Sequence, residues 1–141
     1  MAANPVVPAA RMDAEQAIRA MAQEYQQHYN RRDAQKVAAL FVSDGVINPP
    51  FMPAAKGQES IRKSQEQQFQ TWDPKNLALE TSYVETSGDV GFGYGTYTMN
   101  VRTPEGDRLD DRGKWICGYR RENGRWRIAS NCWNTDLDLL E

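Results

Sequence analysis

Residues 107–141 read DRLDDRGKWICGYRRENGRWRIASNCWNTDLDLLE. Two apolar-rich runs, Lys114 to Tyr119 and Trp126 to Trp133, flank a polar link centred on Glu122-Asn123-Gly124. Asn-Gly accepts the positive φ values of a tight turn, so the segment is predicted to be an antiparallel hairpin. Trp126 and Ile128 alternate with Arg125, Arg127 and Ala129, the period of a strand with one dry and one wet face. A sheet built on this hairpin has an inside that other elements must cover.

Upstream, more strands are expected. Leu77 to Thr86 alternates, and after a turn at Ser87-Gly88-Asp89 a further strand runs from Val90 to Arg102. In that strand Gly91, Gly93 and Gly95 share one face while Phe92, Tyr94 and Thr96 share the other. Glycines on one face imply close packing there, expected from a helix lying across it. The aromatic face needs its own cover, and a second copy of the chain, giving a homodimer through the outer sheet face, is the expected partner.

The first half reads as helical. Asp13 and Gln16 form a cap ahead of a Gly- and Pro-free run to Asn30. On it Ile18, Met21 or Ala22, Tyr25 and Tyr29 make an inward stripe. A second helix is expected from Asp33, burying Val37, Leu40 and Phe41 until Ser43-Asp44-Gly45. A short strand, Val46 to Asn48, then ends at Pro49-Pro50. A third helix, Gly57 to Gln70, turns Ile61, Ser64 or Gln65, Gln68 and Phe69 inward and stops at Trp72-Asp73-Pro74. Helices first and a long antiparallel sheet second make an α+β fold with three helices on one face.

With 141 residues the chain suits one domain, residues 13–141, behind a flexible arm, residues 1–12. The arm has neither a basic start nor a long apolar run and does not read as a signal peptide. A net charge of -2 with scattered basic residues points away from nucleic acid and from an anionic membrane surface. Two cysteines, Cys117 and Cys132, fall in the hairpin, where they could neighbour each other; a reduced pair in the cytoplasm is the preferred reading. One histidine, His28, leaves no histidine-rich metal site, and neither metal nor cofactor is expected.

The run AIRAMAQEYQQHYNRRDAQKVAALFVSDGVINPPFMPAAKGQES, residues 17–60, carries a long helix, a following Asp, a short helix and a Gly-x-x-x-Ile helix in order. Asp89-Val90-Gly91, Gly113-Lys114-Trp115, Asn123-Gly124-Arg125-Trp126-Arg127-Ile128 and Trp133-Asn134 continue the series. This ordered set resembles the nuclear-transport-factor-2-like superfamily, in its SnoaL-like and ketosteroid-isomerase-like branch. The resemblance implies a cone: a curved antiparallel sheet wrapped around the N-terminal helix, with a pocket between them. It implies cofactor-free chemistry of lyase or isomerase type, or ligand binding or dimerisation without catalysis.

Carried over residue by residue, the resemblance matches Tyr25, eight positions before Asp33, to the tyrosine that donates to a developing oxyanion in the steroid isomerases. Their general base falls on Pro49 and their second acid near Ile116, so neither carboxylate is present. An Asp-Arg-Asp set is available in Asp111, Arg112 and Asp136, but no spacing brings the three together. The expected catalytic residues are Tyr25, Lys114 and Asn134, with Tyr29, Asn48, Phe51, Tyr97, Asn131 and Trp133 binding the ligand. Phenol and amide donors stabilise charge on an oxygen, and a desolvated lysine can exchange protons. An apolar or aromatic carbonyl or hydroxy compound is the expected ligand.

Overall fold

The computed structural model, which describes residues 9–138, runs α1 (Ala9–Asn30), α2 (Ala34–Ala39), β1 (Phe41–Asn48), β2 (Ala55–Lys56), α3 (Gln58–Trp72) and then β3 (Lys75–Ser87), β4 (Val90–Arg102), β5 (Arg108–Glu122) and β6 (Arg125–Thr135). Helix α1 starts at Ala9, so Asp13 lies within it and not at its cap; of the expected arm, residues 1–8 fall outside the described residues. The predicted stripe is the buried one: Ile18, Met21, Tyr25 and Tyr29 face the core.

Asp33 caps α2 by accepting from the Lys36 amide at 3.1 Å. The helix then ends earlier than its pattern suggested. Phe41 opens β1, because the Leu40 carbonyl takes the Ile128 amide at 2.8 Å and draws the chain into the sheet. Ser43-Asp44-Gly45 is a bulge inside this strand: the pairing passes from Phe41 opposite Ile128 to Val46 opposite Ser130. In α3, Ile61, Ser64, Gln65, Gln68 and Phe69 are buried, and Asp73 ends the helix in a left-handed conformation (φ 42°) before Pro74.

The sheet order is β2-β1-β6-β5-β4-β3. β1 and β6 are parallel; every other neighbouring pair is antiparallel. The β5–β6 hairpin closes with Glu122 opposite Arg125 across Asn123 (φ 52°) and Gly124 (φ 75°), both in the left-handed region that this turn requires. Two of the arginines beside it are paired, Arg120 with Asp44 and Glu122, and Arg121 with Asp89. Bulges in β3 and β6 bend the sheet into an unclosed cone over α1, which crosses β3 and β6.

The glycine face of β4 is inward, but a helix is not what covers it. A Cβ on Gly95 would stand 1.8 Å from the Glu80 carbonyl oxygen and 2.7 Å from the Trp115 ring, and one on Gly93 would stand 3.2 Å from the Tyr119 ring. Aromatic rings from β5 and the bulged backbone of β3 fill the space instead. Among the described residues no helix is long and apolar enough to cross a membrane.

Candidate functional site

The concave side of the sheet holds two adjoining cavities. The first, of about 50 Å³, lies between α1 and the sheet. Six aromatic rings wall it: Tyr25 and Tyr29 from α1, Tyr97 from β4, Trp115 and Tyr119 from β5, and Trp133 from β6. Helical four-residue spacing aligns the first two, whose rings are nearly parallel at 6.1 Å between centroids. Strand alternation aligns the β5 pair. The β6 residues owe their phase to a bulge, since Tyr119 faces Ile128 while Gly118 faces Ser130, leaving Ala129 over; Ile128, Asn131 and Trp133 therefore all point inward.

Polar groups in this aromatic cage are few. Burial pushes the Cys117 thiol up to about 12, so it is a neutral thiol there. The Asn131 amide donates to its sulfur at 3.6 Å, while Asn131 Oδ1 is buried without a partner among the described residues. Burial also raises the Tyr25 phenol well above its ordinary value, with Cys117 adding to the effect. Tyr25 is thus a neutral donor, and its hydroxyl makes no hydrogen bond with another described residue.

The second cavity, of about 40 Å³, is framed by Gln68 and Trp72 of α3, Val101, Leu109 and Thr135 of the sheet, and Phe51 at the rim. Asp111 lines it while only 7% exposed. Its carboxylate accepts from the Tyr97 hydroxyl at 3.2 Å and, at short range, from the Thr135 hydroxyl. Thr135 Oγ1 itself accepts from the Leu137 amide at 3.0 Å, which leaves its hydrogen for the carboxylate. Burial raises the Asp111 pKa from its ordinary value; the two hydroxyl donors pull it back in part, and the charge of Asp136 adds to the rise.

Tyr29 and Met99 belong to both walls and divide the cavities. The Tyr29 hydroxyl donates to Gln68 Oε1 at 3.0 Å and lies 4.0 Å from the Met99 sulfur. Gln65 steadies Gln68 through a 3.4 Å hydrogen bond.

A curved sheet around one long helix, with its cavities on the concave side, is the architecture of a known family, and the SnoaL-like domain matches residues 10–131. The chain belongs to the SnoaL-like family. Among solved structures it is similar to a ketosteroid isomerase-like protein from Erwinia carotovora atroseptica, at 25% identity over 86% of this chain and 95% of that one, with a TM-score of 0.78. It is also similar to a protein with a cystatin-like fold from Caulobacter vibrioides, at 19% identity over 90% and 92% of the two chains and a TM-score of 0.76. A third likeness is to a nuclear-transport-factor-2-like protein from Novosphingobium aromaticivorans, at 18% identity, 91% and 86% coverage and a TM-score of 0.70. No curated protein matches the chain.

In this SnoaL-like chain the residues expected at the site separate into two groups. Tyr25, Tyr29, Tyr97, Asn131 and Trp133 meet around the aromatic cage, and Phe51, 65% exposed with φ 63°, stands at the rim of the second cavity. Lys114, Asn134 and Asn48 line neither cavity. Lys114 falls on the outward phase of β5 and pairs with Asp136; Asn134 is opposite it on β6 and exposed. Asn48 spends its amide on the Asn131 carbonyl at 3.0 Å. The Asp-Arg-Asp set also splits: the Asp136 amide bonds the Arg112 carbonyl at 2.8 Å, yet Arg112 is exposed while Asp111 is buried. Asp111 is the acid that the sequence reading did not place at the site. Counting back by twos from Trp115 along the dry face reaches it.

Proposed function

We propose that the protein is a cofactor-independent proton-transfer enzyme of lyase or isomerase type, acting on an apolar or aromatic carbonyl or hydroxy compound. The observation that carries this reading is Asp111: a buried carboxylate facing a cavity, oriented by two hydroxyls, with its pKa moved toward neutrality. A base with those properties is suited to take a proton from a carbon beside a carbonyl. The unengaged Tyr25 phenol, a neutral donor in a dry site, would hydrogen-bond the oxygen on which negative charge develops. Return of the proton to another carbon gives isomerisation; departure of a leaving group from the neighbouring carbon gives elimination.

The test is solvent exchange. Ring ketones such as 2-tetralone, incubated in deuterated buffer and followed by proton NMR, are expected to exchange their α protons faster with the protein than without it. Asp111→Asn should lower that rate by about 10²–10⁴, the usual contribution of a positioned base. Equal rates for wild type and variant would remove Asp111 from the mechanism. Saturable binding of the ketones with no exchange at all would favour a ligand-binding module.

Tyr83, Phe92, Tyr94, Val90 and Ile116 are exposed on the convex face, which suits a homodimer through the outer sheet. Both cysteines are free, which suits the reducing cytoplasm.

A further inference from the structure

The free phenol and the carboxylate stand in different chambers. Tyr25 opens into the aromatic cage and Asp111 into the cavity beyond; Tyr29 and Met99, which line both, stand between them, and Tyr97 reaches from the cage wall to Asp111. Size makes the division consequential. A dry cavity that takes up a benzene ring measures about 150 Å³; the chambers, at about 50 and 40 Å³, are each too small for a ring and remain too small when taken together. A ring enters either chamber only as the side chains lining it give way, and a molecule that spans both must displace the wall as well.

The two halves of the wall are unequal. Tyr29 is held on three sides: its hydroxyl donates to Gln68, its ring stacks on Tyr25, and Phe69 meets it edge-on at 5.0 Å. Met99 has no hydrogen-bonded hold beyond a weak 4.0 Å sulfur contact to Tyr29. It is an unbranched side chain with three rotatable bonds, the type that repacks most readily. It also points from the same inward face of β4 as Tyr97, whose hydroxyl orients Asp111.

We propose that Met99 is the movable divider that sets ligand length, and that the protein takes compounds of two-ring length, lodged with one ring in the aromatic cage and the other against Asp111. The proposal rests on Asp111 and Tyr25 acting on one molecule: a substrate that meets both must thread past Met99. A one-ring compound reaches only one of them. Specificity for length would then reside in a residue that touches the ligand without taking part in proton transfer.

The experiment measures binding and needs no turnover. Phenol and 4-phenylphenol are titrated into the full chain labelled with nitrogen-15. The indole N–H signals of Trp115 and Trp133 report on the cage, and that of Trp72 on the Asp111 chamber. With wild type, 4-phenylphenol is expected to move all three signals and to bind at least about tenfold tighter than phenol. Met99→Phe, a bulkier and stiffer divider, should weaken 4-phenylphenol by about tenfold or more and phenol by less than about threefold. Where Met99→Phe does not fold, Met99→Ala serves: opening the wall should tighten 4-phenylphenol and leave phenol nearly unchanged. Movement of signals from one chamber only, or equal effects of the Met99 variants on both compounds, overturns the proposal. Asp111→Asn separates the two readings, since failure of the base would appear in solvent exchange while 4-phenylphenol still reports the divider.

Discussion

Asp111 is ionisable, buried and still hydrogen-bonded, a combination with a thermodynamic signature. Burial raises its pKa in the folded protein above that of the unfolded chain, so the folded form binds the proton more tightly. The stability this contributes is fully present below the unfolded pKa and is lost as pH rises through the folded one. Asp111→Asn removes the titration. Urea unfolding of the two proteins between pH 3.5 and pH 7 is expected to show the variant gaining on wild type as pH increases. Parallel curves across that range would mean that Asp111 is not desolvated in solution. The same residue shows how much of the site the sequence revealed. Tyr25 and Tyr29 were readable because helical spacing alone fixes which side they occupy. Lys114 and Asn134 lie outside the cavities, which family likeness could not show because it locates a strand without fixing which way each side chain points; for Lys114 the phase was already set by Trp115 beside it.

Strand β4 was delimited by its own sequence, Val90 to Arg102, because Ser-Gly-Asp and Thr-Pro-Glu-Gly turns bracket an unbroken alternation. Strand β1 was not, since Leu40 and Phe41 continue a helical pattern and only a long-range hydrogen bond from Ile128 shows that Phe41 belongs to the sheet. The glycines of β4 were correctly read as sites of close approach, but what approaches is set by bulges that local patterns do not announce. Substitution distinguishes such a glycine from an ordinary one. Gly95→Ala drives a methyl into the Glu80 carbonyl and the Trp115 ring, and should destabilise the protein by about 1–3 kcal/mol or more. Gly118, where an added Cβ meets nothing within 4 Å, should accept alanine within about 0.5 kcal/mol. Thermal or urea unfolding of both variants checks the contrast, and similar losses at the two positions would contradict the packing described for β4 and β5.

On the convex face, register assembles what the linear sequence only hinted at. Tyr83 stands opposite Tyr94, Tyr94 opposite Ile116, and Ile116 opposite Cys132, so one row crosses four strands. Phe92 flanks it, 5.8 Å from the Tyr83 ring, and Tyr83 stacks on Tyr94 at 5.5 Å. Tyr83, Phe92, Tyr94, Ile116 and the neighbouring Val90 are 40–56% exposed, a contiguous apolar strip of the kind that marks an interface. A two-fold partner placing its own strip here would bury both at once, since isologous contact matches one surface to itself. Light scattering at micromolar concentration is therefore expected to give a dimer. Tyr94→Glu, in the middle of the row, puts a charge into the apolar strip and should raise the dimer dissociation constant by about 30-fold or more, the effect of losing one central aromatic anchor. The variant should still fold, because Tyr94 contributes nothing to the inward cavities. A monomeric wild type would sink the dimer, and an undiminished dimer in Tyr94→Glu would place the interface elsewhere.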